Sequence, residues 1–291
     1  MSPRPGIALI GAGNLAGALG PALLQAGLRV EEVIARERPE SQRRARLLAR
    51  RLEASAATLE TARWHAGAIW ICVPDDAIAL CARRMAALRG WTGKIVLHAS
   101  GALTSDVLAP LRRKGAAVGS LHPLMTFVRA SAPSLRGVSF AVEGDPAAVA
   151  LGRRLARALG GEPFSIAKRD KALYHAWGAF ASPLLVAALA QAEEIAQRSG
   201  ISRRRARRAM APIVRRTVEN FLNVGGAAAF SGPLIRGDVR TIARHWSALA
   251  RVPGARDVYA ALVRSALRTL PVKNRAAIRR LLAKTNRQMS L

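Results

Sequence analysis

The chain has 291 residues and 51% of them are hydrophobic, which is enough for two domains with cores of their own and too apolar for a disordered protein. No apolar run reaches the ~20 residues of a membrane span, and we expect no secretory signal peptide. The two cysteines, Cys72 and Cys81, indicate reduced core residues, not a disulfide or a metal pair. We therefore expect a cytoplasmic protein that does not bind a membrane.

The formal net charge is +28, and 40 of the 46 basic residues are arginine. Such a charge is typical of proteins that bind nucleic acids or anionic surfaces. The arginines, however, are spread over many predicted helices, are not interleaved with aromatic residues and accompany no nucleic-acid motif. We therefore favour a diffusely charged surface over a nucleic-acid interface, and we expect the charge to attract anionic small molecules.

The first predicted strand, Pro5–Ile10, runs directly into the glycine-rich sequence GAGNLAG at 11–17, and an amphipathic helix follows as far as Gly27. Strand, glycine turn and helix form the context in which G-x-G-x-x-G/A predicts a dinucleotide site. The first glycine allows the tight turn, and the second lets the backbone approach a pyrophosphate at the helix N-terminus. The residues predicted to hold the phosphates are Gly11, Ala12, Gly13, Asn14 and Leu15.

The second predicted strand, Val30–Ala35, ends where the adenine ribose of such a cofactor would lie. An acidic residue there binds the 2′-hydroxyl of NAD, whereas an arginine accommodates the 2′-phosphate of NADP. The chain continues with Arg36, Glu37 and Arg38. We therefore predict NADP bound by Arg36, while Glu37 leaves NAD as the alternative.

Further apolar runs predict a doubly wound, mostly parallel Rossmann sheet with helices on both faces. The additional strands are predicted over Gly67–Val73, Lys94–His98, Ala116–Leu121, Val138–Val142 and Pro163–Ile166, and helices over Pro39–Glu53 and Pro146–Leu159. Ligands of such sheets lie at the carboxyl ends of the strands. Val73 and Pro74 are therefore predicted to lie under the nicotinamide side of the cofactor.

After residue 167 no further strand pattern occurs, and alanine- and leucine-rich segments predict an all-helical domain. The helices are predicted over about Asp170–Ser199, Ser202–Asn223, Val239–Arg251, Ala255–Leu270 and Asn274–Asn286. We therefore expect a Rossmann domain over 1–167 and a helical domain over 168–291. Helices of this composition commonly pair across a two-fold axis, so a homodimer is expected.

Four of the five histidines lie where a predicted element ends or begins: His98, His122, His175 and His245. We expect them to line a common cleft, although any single histidine is more often structural. Lys171 and His175 are one helical turn apart and are the predicted acid/base pair, because a carbonyl or imine reduced by hydride takes up a proton. No histidine pair has HxxxH or HxH spacing, so no metal is expected.

The loop SGPLIRGD at 231–238 has the glycine and proline content of a functional loop. Arg236 can bind a substrate carboxylate in bidentate fashion, which favours an anionic substrate. Asp238 is a candidate for the substrate site and equally for the N-cap of the next helix. Ser231, and the Ser100-Gly101 pair after the fourth predicted strand, are further candidates, Ser100 for the cofactor and Gly101 for the substrate.

Taken in order, the motifs GxGxxA, VPDD, HASGAL, SLHPLMTF, KALYHAWGAFAS, SGPLIRGD and TIARH resemble one family over nearly the whole chain. It is the Rossmann-like family with a C-terminal helical domain of unknown function, related to pyrroline-carboxylate reductases, deazaflavin-dependent NADP reductases and hydroxyacid dehydrogenases built like 6-phosphogluconate dehydrogenase. One departure is Pro183, where the relatives usually have asparagine. Another is Ser231, where they have threonine.

The resemblance implies an NADP-binding domain, a helical dimerisation domain and a cleft lined by the histidines, Lys171, Arg236 and Asp238. It implies no particular substrate. Two functions remain open. One is an NADP-dependent reductase or dehydrogenase acting on a small carbonyl, imine or hydroxyacid. The other is a protein that binds or senses NADP without turnover.

Overall fold

The computed structural model of the protein describes residues 6–128 and 133–286. The strands are β1 Ile7–Ile10, β2 Val30–Ile34, β3 Ser55–Ala57, β4 Ala68–Ile71, β5 Ile95–His98, β6 Ala117–Pro123, β7 Ser139–Gly144 and β8 Glu162–Ser165. The helices are α1 Asn14–Gln25, α2 Pro39–Arg51, α3 Asp75–Ala86, α4 Ala109–Arg112, α5 Pro146–Ala158, α6 Lys171–Ala181, α7 Pro183–Arg198, α8 Arg203–Ala229, α9 Pro233–Arg236, α10 Val239–Leu249, α11 Ala255–Thr269 and α12 Arg275–Asn286. Two 3-10 helices cover Ser105–Leu108 and Lys168–Asp170.

The eight strands form one sheet in the order β3-β2-β1-β4-β5-β6-β7-β8. Every neighbouring pair is parallel except β6 and β7, which are antiparallel. The chain leaves β1 towards β2 and β3 and then returns to the other side of β1 with β4. This change of direction is the topological switch point at which Rossmann sheets bind their ligands. The expected fold class, a Rossmann sheet followed by helices, is confirmed.

Helices cover both faces of the sheet, as the continuous apolar strands require. On one face α1, α2 and α5 contribute side chains such as Leu19, Leu48 and Leu151 to a common core. On the other face, Ile78 of α3 and Leu111 of α4 pack against the opposite sides of the same strands. Both cysteines are buried free thiols, as expected. In the C-terminal region, α10, α11 and α12 pack together around a separate hydrophobic core.

The chain divides into two compact units, residues 1–182 and 183–291. The division falls later than the expected boundary at 167. The single helix expected from Asp170 to Ser199 is broken at Ser182, whose φ and ψ are −132° and −84°. Proline disfavours helical geometry in the residue before it and has no N–H to donate, so Pro183 accounts for the break. Helix α6 accordingly stays with the first unit, where Lys171 and Tyr174 are buried.

Two smaller features were not expected. Strand β3 is only three residues long, too short to show an alternating pattern, and was missed. Helix α8 runs to Ala229, past the end expected at Asn223, but it contains a kink at Gly225, whose φ of +76° is not helical. A glycine tolerates this geometry without steric strain.

Within the described residues, one segment, Lys168–Arg198, is long and apolar enough to cross a membrane by length and composition. The expectation that no such segment exists was based on uninterrupted apolar runs, whereas mean hydropathy over a window tolerates a few charges. The segment consists of two helices broken at Ser182, and its Lys171 side chain is buried in the first unit. Only 6% of the apolar window is buried, so the segment presents an apolar surface.

Candidate functional site

The glycine turn after β1 has the geometry that a phosphate-binding turn needs. Gly11 has a φ of +108°, and a Cβ placed on it would lie 2.7 Å from the Cys72 carbonyl oxygen. Only glycine therefore fits this position. At Gly13, by contrast, no heavy atom lies within 4 Å of the Cβ position. The space in front of Gly13 is open, and a side chain there would fill it.

Helix α1 begins at Asn14, and Gly17 N donates to Gly13 O at 2.9 Å to close its first turn. The three N–H groups before Gly17 have no intrahelical acceptor, and together with the helix dipole they favour an anion. No acidic residue lies in this first turn. Ala12 and Leu15, both half-buried, pack against the core behind the turn.

At the end of β2, Arg36 is exposed and its Nε donates to the Ser41 hydroxyl at 3.1 Å. The Gln42 side-chain amide donates to the carbonyl oxygens of Ala35 and Arg36, which fixes the backbone of this turn. No carboxylate of the described chain forms an ion pair with Arg36. Its guanidinium is therefore available to an anionic ligand.

The ends of β4 and β5 meet beside the glycine turn. Val73 Cγ1 lies 3.3 Å from the Cβ position of Gly11, so it borders the turn directly. Pro74 occupies the N-cap of α3. Asp75 follows it, and its Oδ2 accepts a 2.7 Å hydrogen bond from the Ser100 hydroxyl. Ser100 Oγ in turn accepts from the N–H groups of the loop after β5.

A row of polar residues crosses the sheet at the strand ends. His98 of β5 pairs with Ser120 of β6, and Ser120 pairs with Glu143 of β7. In-register residues of neighbouring strands point to the same face, so these three side chains lie side by side. His98 is fully buried, and its Nδ1 accepts from Ser100 N at 3.2 Å. Burial, helped by the nearby charge of Lys171, lowers the pKa of His98 to about 3, so the imidazole is neutral.

Lys171, the first residue of α6, lies over this row with only 1% of the residue exposed. Its Nζ donates to Ser100 O at 3.0 Å and to the Ser120 hydroxyl, and it lies 3.8 Å from Glu143 Oε1. Burial lowers the pKa of Lys171 to about 8, while the carboxylates of Glu143 and Asp75 oppose that fall. An amine with this pKa is mostly protonated at pH 7 and can release its proton about one pH unit above that.

His122 and His175 approach each other across Gly101. A Cβ on Gly101 would lie 2.8 Å from both His122 Nε2 and His175 Cδ2, so the absence of a side chain permits the approach. His122 Nδ1 is hydrogen-bonded to the Tyr174 hydroxyl at 2.7 Å. Burial, with the charges of Lys171 and His175, lowers the pKa of His122 to about 4. His175 is exposed, so it can meet a ligand from solvent.

Four predicted substrate residues lie in the second unit. Asp238 is the N-cap of α10, since its Oδ1 accepts from Thr241 N at 3.0 Å. His245 Nδ1 lies 3.3 Å from the Tyr259 hydroxyl and borders an apolar cavity of about 360 Å³ between α7, α10 and α11. Ser231 and Arg236 are exposed. Their convergence with Lys171 on one ligand stays a prediction.

The sequence did not reveal all of the polar residues that Lys171 contacts. Ser120 was missed because it lies inside an apolar predicted strand, and Glu143 was missed because its strand was predicted to end one residue earlier, at Val142. The signal that identifies Glu143 is a single carboxylate in the strand SFAVEG, since charged residues are rarely buried without a partner. The sheet register then points to Ser120 as its neighbour.

Residues 1–123 match a Rossmann-like domain, and residues 138–266 match the domain of unknown function DUF2520. No curated protein matches the sequence. Similar solved structures include a proposed NADP oxidoreductase, BF3122, from Bacteroides fragilis, with a TM-score of 0.76 and 24% identity over 90% of this chain and 97% of that one. A second is a reductive aminase from Aspergillus terreus in complex with NADPH and ethyl-5-oxohexanoate, with a TM-score of 0.69 and 15% identity over 95% of this chain and 99% of that one. A third is an imine reductase from Pseudomonas sp., with a TM-score of 0.60 and 21% identity over 91% of this chain and 94% of that one.

These identities are low, so the solved structures support the fold alone. The two domain matches follow each other along the chain and agree with the motifs that carry the family resemblance. The chain joins an N-terminal Rossmann-like domain to a C-terminal DUF2520 domain.

Proposed function

We propose that the protein is an NADP(H)-dependent oxidoreductase that transfers hydride between the nicotinamide cofactor and a small carbonyl, imine or hydroxyacid. The observation that carries this proposal is the buried amine of Lys171 at the same strand-end edge as the open glycine turn. One supplies a proton near neutral pH, and the other fits a pyrophosphate. The similar structures described as reductive aminase and imine reductase support the same reaction class.

The residues of the first unit fit the cofactor. The open space at Gly13 and the N–H groups at the start of α1 suit the pyrophosphate. Arg36, held by Ser41 and free of carboxylate partners, suits the 2′-phosphate and favours NADP over NAD. Val73, Pro74 and Ser100 then lie on the nicotinamide side. When bound, NADPH supplies the hydride.

Reduction of a C=O or C=N bond places hydride on carbon and a proton on oxygen or nitrogen. His175 is the exposed member of the predicted acid/base pair and is the residue assigned to touch the substrate. Lys171 holds a positive charge behind it, bonded to Ser100 O. His98, His122 and Gly101 complete the wall on this side. The proton that reaches the substrate oxygen or nitrogen comes from the Lys171 and His175 pair, and solvent replaces it.

The substrate is proposed to be anionic, with Ser231, Arg236, Asp238 and His245 contributed by the second unit. A homodimer is proposed as well, because apolar side chains of α8 such as Ile213, Phe221 and Leu222 are 58–74% exposed. Exposed apolar surface of this extent is typical of protein interfaces. A cytoplasmic location, with no membrane and no nucleic-acid partner, remains part of this proposal.

One observation favours the alternative of a non-catalytic NADP-binding protein. The Lys171 amine already faces Ser100 O, the Ser120 hydroxyl and Glu143, which accounts for all three of its N–H directions. In this arrangement the amine does not touch a ligand directly. A sensor would bind NADPH with no turnover.

NADPH oxidation, followed at the nicotinamide absorbance with a panel of oxoacids, aldehydes and ketone–amine mixtures, separates the two functions. If the protein is an oxidoreductase, at least one substrate is turned over, and that turnover is lost in His175→Ala and in Lys171→Met. His65→Ala is the matched control, because His65 is exposed and lies outside the site. Tight NADPH binding without turnover on any substrate supports the sensor. No NADPH binding contradicts both.

A further inference from the structure

The carboxylate of Glu143 is buried and points at Lys171. The two side chains are 5% and 1% exposed, and Glu143 Oε1 lies 3.8 Å from Lys171 Nζ. Glu143 lies on β7, which runs antiparallel to its inner neighbour β6. This reversal sets Glu143 opposite Ser120, whose hydroxyl accepts a hydrogen bond from the same amine.

The Glu143 carboxylate is itself fixed in place. Oε1 accepts a 2.6 Å hydrogen bond from Ser105 N, and Oε2 accepts a 2.8 Å bond from the Ser105 hydroxyl. Ser105 is fully buried at the start of a 3-10 helix. A donor therefore meets each oxygen of the carboxylate and holds it beside the Lys171 amine.

We propose that Glu143 is the positioning residue for Lys171: its carboxylate keeps the buried amine charged and aimed at Ser100 O and the Ser120 hydroxyl. Because its side chain is only 5% exposed, we do not assign Glu143 a direct contact with cofactor or substrate. It acts through Lys171, and its role in catalysis rests on the proposed oxidoreductase function.

The other charged and titratable groups around Lys171 do not take over this role. Asp75 on α3 is a second carboxylate that favours the charged amine, but its Oδ2 is engaged by Ser100. His98 on β5 and His122 on β6 have lowered pKa values and are neutral at pH 7. Burial alone disfavours the charged form of a lysine. Glu143 is therefore the carboxylate that opposes the effect of burial at closest range.

The test uses the Lys171 ionisation itself. The sequence contains six lysines, so the full-length protein labelled with ¹³C-lysine gives a simple NMR spectrum in which Lys171→Met identifies the Lys171 signal. In E143Q the titration midpoint of Lys171 is expected to fall by about one to three pH units, the usual effect of losing an opposite charge at this range. E32Q is the matched control. Glu32 is also buried in the sheet, but its carboxylate accepts from Arg63 N and Trp64 N.

An unchanged Lys171 midpoint in E143Q, or an equal fall in E32Q, overturns the proposal. Should E143Q fail to fold, E143D retracts the carboxylate by one methylene. It is expected to lower the midpoint by a smaller amount, and an unchanged value there overturns the proposal as well. If a substrate is found, the basic limb of the kcat/KM profile moves in the same direction as the NMR midpoint. A wild type without turnover refutes the oxidoreductase but leaves the NMR result to decide on Glu143.

Discussion

The hydroxyl of Ser100 and the carboxylate of Asp75 are joined by a 2.7 Å hydrogen bond that ties the loop after β5 to the start of α3. The same hydroxyl accepts from Ala102 N and Leu103 N of that loop, so one oxygen links two backbone N–H groups to the Asp75 carboxylate. The Ser100 carbonyl, fixed by these bonds, is the acceptor for Lys171 Nζ. The site is therefore held by the strand-end loops and not by α6 alone.

Ser100→Ala is expected to reduce the free energy of unfolding by about 1–3 kcal/mol, because it leaves two backbone N–H groups and a carboxylate without their partner. Urea unfolding followed by circular dichroism measures the change. Ser247→Ala on the exposed face of α10 is the control and should change stability by less than about 0.5 kcal/mol. Equal stability of the two variants would show that the Ser100 hydroxyl organises nothing.

Gly11→Ala and Gly13→Ala are expected to have different effects. At Gly11 a methyl group meets the Cys72 carbonyl at 2.7 Å and φ is +108°, so a loss of about 1–3 kcal/mol of stability is expected. At Gly13 the backbone is extended and the space is open, so the variant should fold normally and lose NADPH affinity. Thermal unfolding with and without NADPH measures both effects. Undiminished NADPH binding by Gly13→Ala would contradict the pyrophosphate assignment.

Stability is expected to fall on acidification. His98 and His122 have folded-state pKa values of about 3 and about 4, against 6.5 for an unperturbed histidine. Below pH 6.5 the unfolded chain binds protons that the folded chain does not take up until about pH 4. Each histidine therefore lowers the free energy of unfolding by ~1.4 kcal/mol for every pH unit of acidification across that window. Urea unfolding between pH 7 and pH 4 measures the slope, and His122→Gln should make it shallower. A slope that does not change in this variant would place His122 in a solvated, unshifted environment.

Breaking the buried pair is expected to be far more damaging than removing both members. Lys171→Met leaves the Glu143 charge without its cation and should destabilise the fold by about 3–5 kcal/mol. The double variant Lys171→Met with Glu143→Gln removes both charges and should recover most of that loss. A double-mutant cycle in urea gives the coupling energy. Additive effects of the two substitutions on the free energy of unfolding would show that Lys171 Nζ and Glu143 Oε1, 3.8 Å apart, do not interact energetically.

Much of the first unit could be predicted from the sequence because its signals are local. The apolar strands, the glycine turn and the helix that follows each lie within a short stretch, and GAGNLAG carries its own geometric requirement at Gly11. Strand β3 and the break at Ser182 were missed for local reasons as well. One is too short to show a pattern, and at the other a proline overrides a helical composition.

The contacts around Lys171 could not be predicted in the same way, because they depend on sheet register. His98, Ser120 and Glu143 become neighbours only once β5, β6 and β7 are aligned, and β7 has to run antiparallel for Glu143 to face Ser120. The burial that lowers the pKa of Lys171 is likewise a tertiary effect. Sequence spacing identified the lysine but not the carboxylate that accompanies it.

The measurement that most directly tests the central claim is the affinity of the wild type and Arg36→Ala for NADPH and NADH, determined by calorimetric titration. We expect the wild type to prefer NADPH, and Arg36→Ala to weaken NADPH binding about ten- to a hundredfold while leaving NADH binding unchanged. Arg46→Ala, which removes an exposed arginine of α2, controls for the change in net charge and should retain the preference. Equal binding of both dinucleotides by the wild type, or the same loss in Arg46→Ala, would contradict the assignment of this edge of the sheet to NADP.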